Sequence, residues 1–150
     1  MGLIKVSAGD LWFEASNDGS GTVYLIQYHL DTTCSPLPCL RRAQTVKLAG
    51  DPLANATAQV ANYQTELDNV LNGTTANPIF QAYDTNGNLI SPTDMSNNAL
   101  ASINSVSITI EVQSPTLDPK TKVYPTVTLF STVKLNNCSA AWTSDYLMGC

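Results

Sequence analysis

Charge is what this chain has least of. Only 13% of its residues are charged, so Asn, Thr and Ser must supply much of the wetted surface. Seven Lys and Arg stand against twelve Asp and Glu, a net charge of −5 with histidine neutral. That balance gives no field to gather nucleic acid or an anionic membrane. Arg41-Arg42 is the one basic pair and reads as two solvated strand residues rather than a phosphate-tracking stripe. Histidine is almost missing: His29 stands alone, within a strand-like run. There is no Gly-x-Ser-x-Gly elbow and no phosphate loop, so acyl transfer and nucleotide chemistry lack their usual equipment. The carboxylates Glu14, Asp31, Glu66, Asp68, Asp84 and Glu111 are each accounted for by a turn, a helix face or a wet strand face rather than by a facing pair. No enzyme activity, and no cofactor, is expected. No apolar run approaches the ~20 residues of a membrane helix. Met1-Gly2-Leu3-Ile4 has none of the series of a signal peptide; Met1-Gly2 reads as an added start, which implies that a native N-terminal segment precedes it.

What the chain does have is alternation. Val106-Ser-Ile108-Thr-Ile110-Glu-Val112 and Val127-Thr-Leu129-Phe-Ser-Thr-Val133-Lys-Leu135 place apolar residues at every second position, Ser131 excepted. Period two in β-branched residues marks strands with one wet face. Pro115, Pro119 and Pro125 keep the intervening stretch out of any strand. The two runs are therefore expected to form a long-loop antiparallel hairpin around which the domain is built. Earlier in the chain, Leu11–Ala15 and Thr22–Asp31 flank the turn-forming Ser16–Gly21, and Leu40–Ala49 reads as a third strand pairing with Thr22–Asp31. Tyr24, Ile26, Tyr28 and Leu30 make an apolar face, while Val23 and Leu25 hint at partial cover on the other. Pro78–Tyr83, an Asp84-Thr-Asn86-Gly-Asn88 turn and Leu89-Ile90 form a further hairpin. Between these groups, Val60, Tyr63, Leu67, Val70 and Leu71 fall at helical spacing. They predict an amphipathic helix from Asn55 or Thr57 to about Asn72, stopped by Gly73 and packed on the sheet.

The order strands, helix, strands predicts one α+β domain over residues 1–150: antiparallel sheets with one amphipathic helix. The 150 residues are enough for a core that needs no metal.

Four cysteines remain. Cys34 and Cys39 bracket a short loop with two prolines, and Cys138 and Cys150 bracket the C-terminal segment. Two local disulfides are expected, with the pairings 34–138/39–150 and 34–150/39–138 left open by sequence. Zinc fits poorly, because eleven residues separate Cys138 from Cys150 where tight Cys pairs are the rule. Disulfides imply an oxidising compartment. The Asp84–Asn88 turn offers oxygens at alternate positions, but its glycine falls at the fourth place and Met95 holds the twelfth, so calcium is not assigned there. Asn55, Asn72 and Asn137 begin Asn-x-Ser/Thr triplets, as expected by chance in a chain this rich in Asn and Thr.

These pieces, in this order, resemble the soluble domain of type IV pilin-like proteins, namely minor pilins and the minor pseudopilins of type II secretion. Val23–Tyr28 followed by Cys39-Leu40-Arg41-Arg42 looks like that family's tyrosine strand and Leu-x-Arg. Leu67–Val70 followed by Ile79–Tyr83 and Asp84-x-Asn86-Gly87 looks like its helix end, phenylalanine strand and Asp-x-Asn-Gly turn. Ile103–Ile110 and Ser131–Asn137 look like its last two strands. The resemblance spans about Val23 to Asn137. It implies an assembly subunit of a pilus or pseudopilus, at the cell surface or in the periplasm, with other pilin-like subunits as partners. The membrane would be met only through an N-terminal helix missing from this chain. The Cys138–Cys150 loop looks more like that of major pilins, which leaves the filament system unassigned. A second expectation is a tip adhesin or carbohydrate-binding β-domain meeting a surface glycan or host receptor through Trp142 and Tyr146, with Trp12 and Tyr124 beside them.

Overall fold

A computed structural model describes residues 2–16, 19–48, 62–90 and 97–135. Its strands are β1 (Leu3–Val6), β2 (Asp10–Ala15), β3 (Tyr24–Asp31), β4 (Cys39–Val46), β5 (Gln64–Leu67), β6 (Phe80–Tyr83), β7 (Leu89–Ile90), β8 (Ser105–Gln113) and β9 (Thr126–Lys134), with a short helix α1 (Asn97–Ser102) before β8. They form two antiparallel sheets, β1-β2-β3-β4-β5 and β7-β6-β8-β9. Among the described residues α1 is the only helix. The fold is therefore almost entirely antiparallel β, and the α+β expectation is wrong.

The fault lies in the stretch expected to be a helix. Its first part, up to Ala61, lies outside the described residues. Its second part is strand: Gln64–Leu67 pairs with β4, Arg41 opposite Thr65 and Arg42 opposite Gln64. Arg41 Nη2 also donates to the carbonyl of Tyr63 at 2.9 Å. A free sheet edge offering a row of backbone partners outweighs the weak helical preference of four residues. Gly73 is no helix stop either. Its φ is +119°, and a Cβ there would run into Leu30 Cδ2, so glycine is needed for both conformation and close approach.

The organising hairpin forms as expected. β8 and β9 pair from Ser105↔Lys134 to Gln113↔Thr126 without a break in register. Val106, Ile108, Ile110 and Val112 share one face with Val133, Ser131, Leu129 and Val127. β2 with β3 and β3 with β4 pair as predicted, the last ending at Asp31↔Cys39. β1 went unrecognised because it does not alternate. A bulge between Leu3 and Lys5 lets both Leu3 and Val6 reach the main core while Ile4 turns away.

The core lies between the sheets: Val6, Leu11 and Leu40 from one, Phe80, Ala82 and Val106 from the other, with Val70, Ile79 and Ile103 from the connections. Leu25 does find cover on the far face of the first sheet, in a cluster with Ile4 and half-buried Trp12.

The passage from one sheet to the other runs through residues 69–72. Val70 bridges Val112, the Leu71 amide donates to Glu111 C=O at 2.8 Å and the Gln113 amide to Asn69 C=O at 3.0 Å. Asn72, only 3% exposed, finishes the link with its side chain. Its Nδ2 donates to Thr109 C=O at 2.6 Å and to Pro78 C=O at 3.3 Å, and its Oδ1 accepts from the Glu111 amide at 2.9 Å. The amide group thus stands in for the strand residue that β6 does not supply to β8, and Asn72 is a structural clamp rather than a glycan acceptor.

Candidate functional site

Three features outside the core could carry function: the disulfide hairpin with the polar face beside it, the Asp84 turn, and an apolar mouth between the sheets.

Cys34 and Cys39 are joined by a disulfide, which rules out both alternative pairings. Cys138 and Cys150 lie outside the described residues, as do Trp142 and Tyr146. The ligand atoms of Asp31, Cys34 and Cys39 lie within 4.8 Å of one another. With both sulfurs bonded to each other, however, no thiolate is left to bind zinc. Asp31 instead accepts from the Thr33 hydroxyl at 2.6 Å, the Thr33 amide at 2.9 Å and Arg41 Nη1 at 2.9 Å. Those bonds, Thr33's first, hold its carboxyl down at about 2. Arg41 is therefore not merely solvated; its guanidinium ties the disulfide turn to the entry of β5 through Asp31 and the Tyr63 carbonyl. Arg42, on the opposite side of β4, lies 6.0 Å from the Tyr28 ring centroid.

His29 sits opposite Asp10 on neighbouring strands, with Nδ1 2.7 Å from Asp10 Oδ1. Asp10, not His29, is the hub: Lys5 Nζ donates to its Oδ2 at 2.8 Å and Ser7 Oγ at 2.9 Å. A nucleophilic relay needs the hydroxyl on the imidazole; here it is spent on the carboxylate. Burial pushes Asp10 up, but the bonds from Lys5, His29 and Ser7 outweigh it and leave the carboxyl below its ordinary value. Nearby Tyr63 is pushed up by burial and by the Asp10 charge against the opposing pull of Arg41; its hydroxyl lies 3.3 Å from Gln27 Oε1. The constellation is a set of cross-strand ties.

Asp84 is consumed by its own turn. Oδ1 accepts from the amides of Asn86 and Asn88, both at 2.8 Å, and Oδ2 from Asn88 Nδ2 at 2.9 Å. The Asn88 bonds, side chain first, lower its carboxyl below the ordinary range. Gly87, at φ +80°, completes the turn.

The third feature is the mouth between the sheets. It encloses about 500 Å³, walled by Leu11, Phe13 and Tyr28 from the first sheet and by Ile108, Ile110 and Val133 from the second. Phe13 and Tyr28 stack with ring centroids 6.5 Å apart. Glu14 is the charged residue on the lining, and its carboxylate lies 3.1 Å from Lys47 Nζ. Walls this largely apolar, with the Glu14 carboxylate ion-paired to Lys47, suit an apolar side chain or surface. The mouth opens because β9 reaches past the other sheet: Val127, Leu129 and Val133 point to the core side, yet remain 54%, 53% and 47% exposed. Period two in the sequence located that face; nothing in it showed that the opposing sheet would stop short.

Of the four aromatics expected to form a platform, Trp12 and Tyr124 are among the described residues. The Trp12 ring packs against Ile4 and Leu25, with Lys5 Nζ 4.6 Å from its centroid, so it is committed to the far side of the first sheet. Tyr124 is exposed.

Compared with protein-family models, with curated proteins and with solved structures, the chain matches none.

Proposed function

We propose that this domain is the exported, non-catalytic head of an assembly subunit of the pilin-like kind, a minor pilin or a type II secretion pseudopilin. The observation that carries the reading is the apolar mouth, a largely apolar surface that invites docking by another protein. Two further features support it. The Cys34–Cys39 disulfide suits an oxidising location. The motifs that carry the resemblance lie on β3–β4, on β6 with its Asp84 turn, and on β8–β9. The helix end within that resemblance is the part lost, since Gln64–Leu67 is strand. Its partners are other pilin-like subunits, and the domain works outside the inner membrane.

The test is location and company in the producing cell. Immunogold labelling against this domain, with cysteine cross-linking from the rim of the mouth at Val133, is expected to mark surface or periplasmic filaments and to join this chain to other filament subunits. Cytosolic label with Cys34 and Cys39 reduced would overturn the proposal.

A further inference from the structure

β9 is an edge strand nine residues long. Its ladder to β8 is bracketed by two bonds, Leu135 N–H to Asn104 C=O at 2.7 Å and Ser114 N–H to Pro125 C=O at 2.8 Å. The register is continuous between them. In an antiparallel pair, bonded and non-bonded positions alternate. Odd-numbered β9 residues therefore bond β8, while Thr126, Thr128, Phe130, Thr132 and Lys134 aim their N–H and C=O groups away from it. No described residue pairs with that edge. The strand itself lacks the protections natural edges carry in their own sequence: β9 contains no proline and no bulge, and its one charge, Lys134, is at the end.

The strand is also close to a palindrome. Reading outward from Phe130, Leu129 answers Ser131, Thr128 answers Thr132, Val127 answers Val133 and Thr126 answers Lys134. Phe130, at the centre, is 72% exposed.

We propose that β9 pairs antiparallel with β9 of a second copy of this chain about a two-fold axis through Phe130, joining two four-stranded sheets into one continuous sheet. The outward-facing groups then meet as bonded pairs, Phe130 with Phe130, Thr128 with Thr132 and Thr126 with Lys134. Val127 faces Val133 and Leu129 faces the small Ser131 on the core side, extending the apolar floor of each mouth across the axis. The lysines meet threonines, so the edge brings no like charges together. A two-fold contact of this kind uses the same patch on both copies. The strand is about 30 Å long, and the contact is small, so the association is weak, on the order of 10–100 µM. It stands on strand geometry alone and holds or fails independently of the pilin-like reading.

Sedimentation equilibrium of the full chain from about 1 µM to 1 mM tests it. Wild type is expected to pass from monomer to dimer and to stop there. Association is expected to hold or tighten in high salt, because each copy carries −5. Phe130→Lys and Phe130→Glu each place like charges on the axis and are expected to weaken the homodimer at least about tenfold, while an equimolar mixture of the two restores a heterodimer. That recovery also shows both variants to be folded. A wild type that stays monomeric to 1 mM, a dimer indifferent to both substitutions, a mixture that fails to pair, or a monomer whose Thr128 and Thr132 amides are already protected from exchange by another occupant such as residues 136–150 would each overturn the proposal.

Discussion

Replacing Asn72 with alanine removes a single amide group and three hydrogen bonds, and its cost can be worked from the geometry. The Thr109 carbonyl loses a 2.6 Å donor, the Glu111 amide loses a 2.9 Å acceptor, and the Pro78 carbonyl loses a longer contact at 3.3 Å. With Asn72 3% exposed, water does not readily replace them. A buried group left unpaired costs about 1–3 kcal/mol. Two short bonds dominate, and alanine leaves room for partial relaxation, so the loss is about 2–4 kcal/mol, a large share of the ~5–15 kcal/mol that holds a domain together. At about 2–4 °C per kcal/mol for a chain of this size, Tm should fall by roughly 5–15 °C. Denaturant unfolding measures the loss, and amide exchange localises it. The Glu111 N–H should exchange much faster in the variant, while amides of β3 keep their protection relative to global stability. A loss below about 0.5 kcal/mol, or an unchanged Glu111 amide, would refute the clamp.

Other consequences follow from the same contacts. Gly73→Ala, which sets a Cβ against Leu30 at φ +119°, should cost about 2–4 kcal/mol. Pairing it with Leu30→Ala should cost less than the two single changes summed, and simple additivity in a double-mutant cycle would exclude the clash. Cys34→Ser with Cys39→Ser opens a loop with a sequence separation of 5; loop-closure entropy puts the loss near ~2 kcal/mol, read as a lower urea midpoint that reductant no longer changes. Asp10, Asp31 and Asp84 all have lowered carboxyl values in the fold, Asp31 to about 2. Their stabilisation is fully present above the unfolded carboxylate range near ~4 and is lost as pH falls through the folded values. Urea midpoints should therefore drop steadily between about pH 4 and pH 2, and Asp31→Asn should flatten that slope; an unchanged slope would remove Asp31 from the account.

Much of the second sheet could be read directly. β8 and β9 alternate in β-branched residues that suit a pleated surface, although β9 is exposed along its whole length. The Asp84–Asn88 turn was legible because its side-chain chemistry is local, and the Cys34–Cys39 bond because a short loop brings the thiols together. The failures came where distant partners decide. Residues 64–67 carry helical spacing, yet β4 offers them a ladder and Arg41 a tie to the Tyr63 carbonyl. β1 hides its pattern behind a bulge. Asn72 looked like a chance glycosylation triplet, because what makes it structural is a strand 37 residues further on. The mouth was invisible for a related reason: the reach of one sheet past another is a property of both, and each strand's alternation reports only its own two faces.

The account rests on β9 being an edge strand with one bonded and one open edge. Residue-resolved amide exchange on the dilute, monomeric chain measures this most directly. Slow exchange at Val127, Leu129, Ser131 and Val133, alternating with fast exchange at Thr128, Phe130 and Thr132, is the predicted result; uniform protection or uniform exchange along residues 126–134 would contradict it.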